Sequence, residues 1–348
     1  MMECGHERVC FHHDEDTGLR AIVAIHSTVL GNALGGTRRW HYSSETEALY
    51  DVLRLSEGMT YKAAAAGLSM GGAKSVVLLP GRGSPGNEAE ARSLGRFVDT
   101  FSGNYIAAED VGTTPQYVDW MAMETPHVMG GDRVSRGGDP SPFTAQGVVN
   151  AMKASLSHLG RPVDFAGLTV AIQGVGSVGQ NVGRILVEQG AQIIVADISD
   201  QSTAMMAEKY DATVVSTEDI LSIECDILSP CALGGVISAS NVADLHCEIL
   251  CGGANNILQD PDEDAATIHR RSILYAPDFI ANAGGLIELA GLHLGMSRQE
   301  LDERNSGIEE TTLHVLDMTK EAISSHEAAV KFAMDRIALV KQEKVHAH

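Results

Sequence analysis

The sequence predicts an α/β protein built from two domains, and three observations lead to that fold class. Segments with the apolar pattern of β-strands alternate with segments whose apolar residues recur at helical spacing. The chain has 348 residues, enough for about two domains that each bury their own core. A glycine-rich turn over residues 174–179 follows an apolar strand and precedes a helix, which is typical of a parallel sheet covered by helices.

The domain boundary is expected over residues 135–142, where glycine and proline interrupt the apolar pattern of strands and that of helices. They indicate a hinge or linker. The first domain accordingly spans residues 1–138, and we expect a C-terminal helix of about residues 320–348 to complete it. The second domain spans residues 139–319. A cleft is expected to separate the two.

The elements of the first domain follow from local signals. Ser43 or Ser44 is expected to cap the first helix, which should end near Gly67. The pair Gly71 and Gly72 is expected to turn the chain into the next strand. The N-terminal stretch shows no regular pattern. We predict a strand over residues 20–26, a helix over 45–65, a strand over 74–79, a helix over 88–101 and a strand over 105–108.

The second domain continues the alternation of strands and helices and then becomes helical from about residue 285 to the end. A helix is predicted over residues 144–159, a strand over 168–173, a helix from the glycine-rich turn to residue 190 and a strand over 192–196. Shorter strands are predicted over residues 212–215, 227–228, 249–251 and 273–276.

Charge and composition exclude several classes of protein. The chain has 25 Lys and Arg against 46 Asp and Glu, a formal net charge of −21 that disfavours binding to nucleic acid. No apolar run reaches the roughly twenty residues that span a bilayer, and no secretory signal is visible. Among six cysteines only Cys247 and Cys251 have near-metal spacing, and we interpret them as core residues. We expect a cytoplasmic protein with reduced thiols, no metal and no membrane partner.

The glycine-rich turn has the spacing GxGxxG, and strand, turn, helix, strand and acidic residue follow in the order of a dinucleotide-binding βαβ unit. Such glycines let the main chain approach a pyrophosphate at the helix N-terminus. Asp197, 18 residues after Gly179, can accept hydrogen bonds from ribose hydroxyls and would repel a 2′-phosphate, so NAD is expected rather than NADP. An ordinary parallel-sheet core without a ligand is the alternative. The expected binding residues of this unit are Gly174, Val175, Gly176, Ser177, Val178, Gly179 and Asp197.

Two lysines lie in apolar surroundings: Lys62 precedes a run of alanines, and Lys74 opens an apolar strand. A lysine normally keeps its ammonium in water, so a buried lysine needs an anionic partner or a function. If the fold brings the two together, repulsion and burial make it easier for one of them to lose its proton and act as a base. Otherwise both lie at the surface, at the ends of their elements.

Two carboxylates, Glu109 and Asp110, come directly after the strand predicted at residues 105–108. Loops at the carboxyl ends of strands border the ligand site in α/β domains, so a carboxylate there is a suitable proton-transfer partner for a lysine. We expect Glu109 to be the solvated one. A charged surface loop without a function is the other interpretation.

Taken together, these motifs resemble the amino-acid dehydrogenases that act on leucine, valine and phenylalanine, relatives of glutamate dehydrogenase. The likeness extends over nearly the whole chain in the right order, and the first-domain motifs look most like leucine dehydrogenases. At Ala73 the sequence departs from the family pattern, which usually has a third glycine there. The motifs lie at residues 34–38, 58–74, 108–114, 140–145, 230–235, 254–256 and 275–285.

The resemblance implies an NAD-dependent, reversible oxidative deamination of an L-amino acid to its 2-oxo acid and ammonia. It implies that Lys62 holds the substrate carboxylate, that Lys74 is the general acid and base, and that Asp110 exchanges protons with the amine. It also implies a homo-oligomer assembled through the first domain, and the Rossmann fold for the second. Substrate contacts are implied for Leu34, Gly36, Ala108, Asn256, Leu286 and Leu289, and cofactor contacts for Thr144, Ile198, Ala232 and Asn256.

The substrate is expected to be hydrophobic, because the matching pocket positions supply apolar walls and no cation for a side-chain carboxylate. Ala108 resembles the enzymes specific for aliphatic substrates, whereas Leu286 is more frequent in those specific for phenylalanine. A branched aliphatic amino acid is favoured, and phenylalanine or another aromatic amino acid is the alternative. Two further classes are an NAD-binding regulator without catalysis and a hydroxy-acid dehydrogenase, which normally needs a pair of His and carboxylate.

Overall fold

The computed structural model describes residues 5–81, 83–84, 86–132, 139–319 and 323–346. Residues 135–138 of the predicted linker lie outside these ranges. The chain divides into two compact units. Unit 1 consists of Met1–Gly138, Leu289–Met296 and Ala333–His348, and unit 2 of Asp139–Glu288 and Ser297–Phe332. The predicted α/β class, with a dinucleotide-binding fold in the second half of the chain, is confirmed.

Unit 1 contains a six-stranded mixed sheet with the strand order β1-β2-β4-β3-β5-β6. The β1–β2 and β2–β4 pairs are antiparallel, and the other three pairs are parallel. Strand β3 therefore lies between β4 and β5, which brings the motifs at residues 34–38, 71–74 and 105–110 onto neighbouring strands. The strands are β1 (Arg8–Asp14), β2 (Leu19–Ser27), β3 (Ala33–Trp40), β4 (Gly71–Leu78), β5 (Tyr105–Glu109) and β6 (Val128–Met129).

The helices of unit 1 cover both faces of this sheet. Helix α1 (Glu45–Ala65) packs on one face, where Val52 and Ala48 contact a core that includes Val76. Helices α2 (Glu88–Asp99) and α3 (Pro115–Ala122) cover the other face around a larger apolar core. The bounds of α1 agree with the prediction, and Ser44 caps its N-terminus by accepting a hydrogen bond from the Glu47 N–H.

Two expectations for the first domain are wrong. Gly71 and Gly72 do not form a turn but begin strand β4. A Cβ at Gly72 would lie 2.1 Å from the Thr60 nitrogen on α1. Glycine is required there so that the helix can lie close to the sheet. The N-terminal stretch is not irregular either, since residues 8–14 form β1, an edge strand paired with β2.

Unit 2 contains a six-stranded, fully parallel sheet with the order β12-β11-β10-β7-β8-β9. Its central strands are buried, as parallel strands covered on both faces should be. Among the described residues, no helix is long and apolar enough to cross a membrane. The strands are β7 (Thr169–Gln173), β8 (Gln192–Ala196), β9 (Thr213–Val214), β10 (Cys225–Pro230), β11 (Cys247–Leu250) and β12 (Leu274–Tyr275).

The helices of unit 2 agree with the predicted pattern. The region after residue 285 contains helices, as expected, and is divided before Ser297, which caps the next helix in a capping box with Glu300. Helices α6, α7 and α8 belong to the expected alternation, although no bounds were predicted for them. The helices are α4 (Ser141–His158), α5 (Ser177–Glu188), α6 (Asp200–Tyr210), α7 (Pro261–Arg270), α8 (Asp278–Ala281), α9 (Gly284–His293), α10 (Arg298–Asp317) and α11 (Ser325–His346), and α9 and α11 each continue into unit 1.

Candidate active site

Lys74 and Asp110 form a largely buried ion pair in unit 1. The Lys74 Nζ lies 2.7 Å from the Asp110 Oδ2, and the two side chains are 8% and 17% exposed. Lys74 is on β4, and Asp110 directly follows β5. An ammonium removed from water to this extent requires such a partner. The structure thus joins the lysine of one predicted motif to the carboxylate of another.

The loop after β5 fixes the position of Asp110. The Asp110 N–H donates a hydrogen bond of 2.8 Å to the Thr113 hydroxyl, and that hydroxyl donates one of 2.6 Å to the Asp110 carbonyl. This local ring orders the main chain at the end of the strand. Glu109 precedes it and is exposed, as expected of the solvated carboxylate.

Gly36 provides the space in which the pair forms. It lies on β3, between the strands that carry the two charged residues. A Cβ at this position would lie 2.8 Å from the Asp110 Cβ and 3.3 Å from the Lys74 Nζ. Any larger residue would therefore displace the ion pair, which explains why glycine is needed at this point of the strand.

The electrostatics of the site keep Asp110 ionised. Burial alone would raise the pKa of Asp110, but the charges of Lys74 and Arg38 outweigh this effect and lower the pKa to about 2. At neutral pH the residue is therefore a carboxylate that can accept hydrogen bonds. That the two lysines repel each other, so that one of them loses its proton easily, stays a prediction.

Arg38 is a member of this site that was not predicted. Its Nε lies 3.3 Å from the same Asp110 oxygen that Lys74 contacts. The signal was present in the sequence, because side chains alternate between the two faces of a strand and Arg38 is two residues after Gly36. Only the sheet order, which places β5 beside β3, shows that this face meets Asp110.

Lys62 lies on α1 in the same unit, near the C-terminus of the helix, and is half-buried. Strand periodicity places Lys74 on the same face of the sheet as Val76, whose core includes residues of α1. Lys74 therefore lies on the face of the sheet that α1 covers. Arg336 on α11 holds the end of this helix by donating hydrogen bonds to the carbonyls of Ala63 (3.2 Å) and Ala64 (2.6 Å).

The four predicted apolar substrate contacts are distributed over both units. Leu34 on β3 and Ala108 on β5 are buried in unit 1, where Ala108 pairs with Gly36 in the sheet. Leu289 is half-buried and also belongs to unit 1. Leu286 is buried in unit 2.

In unit 2 the GxGxxG turn leads from β7 into α5, as expected of a dinucleotide-binding unit. The turn and the helix pack closely, because a Cβ at Gly179 would lie 2.0 Å from the Gly174 carbonyl oxygen. Helix α5 has Gly176 as its cap and no side-chain cap among the described residues. Its first N–H groups therefore lack a side-chain acceptor at the cap, as suits a helix that binds the pyrophosphate of a dinucleotide.

Asp197 lies at the end of β8 beside this turn. Its carboxylate accepts hydrogen bonds from the Val175 N–H (2.7 Å) and the Ser199 N–H (2.9 Å), one on each oxygen. These bonds hold it against the glycine-rich turn and leave lone pairs that can accept a further hydrogen bond from a ribose hydroxyl. The next residue, Ile198, is 95% exposed, which is unusual for an isoleucine that has no ligand.

The other predicted cofactor residues also lie in unit 2. Thr144 is in the first turn of α4, and its hydroxyl donates to the Pro140 carbonyl (3.1 Å). Ala232 follows β10 and leaves no space for a Cβ at Gly174, because that atom would lie 2.6 Å from the Ala232 Cβ. Asn256 has a positive φ of 53°. Together with the uncapped helix and Asp197, these residues fit a bound dinucleotide.

Comparison with known protein families gives three matches, and the first two together cover most of the chain. Residues 6–127 match the dimerisation domain of the Glu/Leu/Phe/Val dehydrogenases. Residues 195–344 match the Glutamate/Leucine/Phenylalanine/Valine dehydrogenase domain. A third match, over residues 147–233, is to the NAD-binding domain of D-isomer specific 2-hydroxyacid dehydrogenases.

Individual relatives cover the chain almost completely. A leucine dehydrogenase of Geobacillus stearothermophilus is 42% identical over 341 residues, which are 97% of this chain and 92% of that protein. A phenylalanine dehydrogenase of Bacillus thermotolerans is 40% identical over 95% of this chain and 88% of its own length. The crystal structure of L-tryptophan dehydrogenase from Nostoc punctiforme superposes with a TM-score of 0.85, at 36% identity and 98% coverage of each chain.

Proposed function

The chain belongs to the Glu/Leu/Phe/Val dehydrogenase family, and on that premise we propose that it catalyses the NAD-dependent oxidative deamination of a hydrophobic L-amino acid, in both directions. The products are the 2-oxo acid and ammonia. The observation that carries this proposal is the ion pair of Lys74 and Asp110, a proton donor and a proton acceptor 2.7 Å apart in a site largely closed to water.

In this proposal the residues of unit 1 bind the amino acid and move its protons. The Lys62 ammonium pairs with the substrate carboxylate. The substrate ammonium loses one proton to the Asp110 carboxylate, because only the neutral amine can release its α-hydride and become an iminium. Lys74 in its neutral form then takes a proton from the water that adds to the α-carbon of the iminium, and gives that proton to the departing ammonia. Positive charge at Lys62 and Lys74 also stabilises the oxyanions that develop during the reaction. NAD, when bound, accepts the α-hydride.

Asp197 supports NAD as the cofactor rather than NADP. A 2′-phosphate would bring about two negative charges against a carboxylate that the Val175 and Ser199 N–H groups hold in place. A ribose hydroxyl at the same position could donate a hydrogen bond to that carboxylate. The cofactor would be held by the turn at residues 174–179, by Thr144 and by Asn256.

We propose a branched aliphatic substrate such as leucine or valine. The small, buried Ala108 and the apolar Leu34, Leu286 and Leu289 favour a side chain without charge. A relative that is a leucine dehydrogenase has 42% identity to this chain, and a phenylalanine dehydrogenase has 40%. An aromatic amino acid is therefore the second candidate, and hydrophobic pockets separate such substrates by only about 1 to 3 kcal/mol per methylene group.

The match of residues 6–127 to a dimerisation domain supports assembly of this protein into a homo-oligomer through unit 1. The alternative of a regulator without catalysis is disfavoured because Lys62, Lys74 and Asp110 are all present. The match of residues 147–233 to hydroxyacid dehydrogenases concerns the cofactor-binding segment alone and does not include these three residues.

The proposal is tested by following NADH formation with a panel of L-amino acids. Leucine, valine, isoleucine, phenylalanine and tryptophan are each assayed with NAD and with NADP, with lactate and malate as controls. We expect the highest kcat/KM for a branched aliphatic amino acid with NAD, and no turnover of the hydroxy acids. Preference for phenylalanine or tryptophan would select the second candidate, and turnover of a hydroxy acid alone would refute the deamination.

A further inference from the structure

Arg38 connects the proposed catalytic pair to a second buried carboxylate. Its Nε lies 3.3 Å from the Asp110 Oδ2, and its Nη1 lies 3.1 Å from the Asp51 Oδ2 on α1. The Arg38 side chain is 21% exposed, and the Asp51 side chain is 15% exposed. A planar guanidinium can contact two carboxylates at once in fixed directions, which a lysine ammonium cannot do equally well.

Asp51 is itself held in place. The Tyr42 hydroxyl donates a hydrogen bond of 2.8 Å to the Asp51 Oδ2, and the Arg54 Nη2 lies 3.0 Å from the Asp51 Oδ1. Arg38 is therefore attached at one end to a carboxylate with two further partners. Its other end contacts the oxygen of Asp110 that also contacts Lys74.

The neighbouring arginine provides an internal comparison. Arg39 points to the opposite face of β3, where it pairs with Glu90 at 2.8 Å and lies over the Tyr117 ring at 5.0 Å. Glu90 is on α2 and Tyr117 is on α3, so Arg39 takes part in the packing of these two helices on the sheet. Two adjacent arginines thus have separate roles, since Arg39 contributes to the core of the unit and Arg38 contacts the proposed proton-transfer pair.

We propose that Arg38 is a positioning residue for the deamination: by bridging Asp51 and Asp110 it fixes the Asp110 carboxylate against Lys74 and keeps that carboxylate ionised. This inference rests on the proposed function for its consequence in catalysis. The bridge orients Asp110 so that its Oδ2 faces the lysine, and the permanent guanidinium charge opposes protonation of the carboxylate.

The charged and titratable groups around Asp110 define what removal of Arg38 would do. Lys74 on β4 and Arg38 on β3 are the cations that lower the pKa of Asp110, whereas burial raises it. The phenol of Tyr105 on β5 also feels the Asp110 charge, but burial raises its pKa to about 12, so it stays neutral near pH 7. Tyr42, which contacts Asp51, has its pKa raised still further, mainly by burial. Loss of Arg38 therefore leaves Lys74 as the one remaining cation among these groups, and the pKa of Asp110 must rise.

The kinetic test compares Arg38→Met and Arg38→Lys with the wild type, and uses Arg96→Met as the matched control. Arg96 on α2 is 54% exposed and pairs with Glu124 rather than with Asp51 or Asp110, so its loss removes an arginine of the same unit but leaves the bridge intact. We expect Arg38→Met to lower kcat about ten- to hundredfold, with KM for NAD unchanged and the acid limb of the kcat/KM profile moved to higher pH. Arg38→Lys should restore the acid limb more fully than it restores kcat, because it keeps the charge but not the bridge.

A titration decides the inference independently of activity. The carboxyl ¹³C signal of Asp110, assigned by its absence in Asp110→Asn, should titrate at higher pH in Arg38→Met than in the wild type and be unchanged in Arg96→Met. If Arg38→Met does not fold, Asp51→Asn provides a second variant, which loosens the bridge but keeps the guanidinium. This variant should lower kcat and leave the titration of Asp110 unchanged.

Unchanged titration together with kcat within twofold of the wild type would overturn the role of Arg38. A wild type inactive on every amino acid would refute the proposed function, and the titration would still decide whether Arg38 controls Asp110.

Discussion

Asp110 is the residue at which the charges of the site meet. It has a cation on each side, Lys74 at 2.7 Å and Arg38 at 3.3 Å, and both contact the same oxygen. Because these charges lower its pKa to about 2, the residue is a carboxylate at neutral pH, and in the proposal it is ready to receive the proton of the substrate amine. Gly36 is a condition for this arrangement, since a methyl group there would overlap the Asp110 Cβ and crowd the Lys74 Nζ.

Asp197 gives the residue-scale prediction for the cofactor. We expect Asp197→Ala to weaken NAD binding and to reduce the discrimination against NADP, because the carboxylate that would accept from the ribose and repel a 2′-phosphate is removed. Fluorescence titration with NADH and NADPH measures both affinities. Asp211, an exposed acid at the C-terminal cap of α6, is the matched control as Asp211→Asn. An unchanged ratio of the two affinities in Asp197→Ala would contradict a ribose contact.

Helix α1 is the element on which substrate binding depends in this proposal, and its C-terminus is held from a distant part of the sequence. Arg336 on α11 donates hydrogen bonds to the carbonyls of Ala63 and Ala64 and one of 3.0 Å to the Leu68 carbonyl. A cation at this end also interacts favourably with the helix dipole. Lys62 is in the same last turn, so the orientation of its side chain depends on this cap.

Arg336→Met is therefore expected to affect both stability and substrate binding. Hydrogen bonds from a charged donor to buried carbonyls are worth about 1.5 to 3 kcal/mol, and we expect a loss of free energy of unfolding of that order. KM for the amino acid should rise severalfold, while KM for NAD stays unchanged. Denaturant unfolding and steady-state kinetics measure the two effects. Lys341→Met, an exposed cation on the same helix, is the control, and equal behaviour of the two variants would exclude a specific role of Arg336.

For the molecule as a whole, the sequence predicted best those elements whose signals are local. Helix α1 has the predicted bounds because Ser44 supplies a cap and the apolar residues recur at one spacing. Strand β8 was likewise predicted correctly at residues 192–196. Strand β3 was not predicted. The role of Gly35 and Gly36 as contact points appears only when β4 and β5 lie on either side. The short strand β6 has only two residues and no periodicity to detect.

The site was predictable in its residue types but not in its geometry. Lys74 and Asp110 are 36 positions apart in the sequence, and they meet because the sheet order is β4-β3-β5, which no local pattern encodes. Arg38 was missed for the same reason. The candidate residues for substrate chemistry, Lys62, Lys74 and Asp110, lie in unit 1, whereas the GxGxxG turn and Asp197 lie in unit 2.

The most direct test of the proposed chemistry is the turnover of Lys74→Ala with the preferred amino acid, beside Lys209→Ala, in which an exposed lysine of unit 2 is removed. Loss of the general acid and base should abolish NADH formation, with a fall in kcat of at least about 100-fold, while the affinity for NADH stays close to that of the control. Full activity of Lys74→Ala would show that the buried ion pair with Asp110 is structural and that another group transfers the proton.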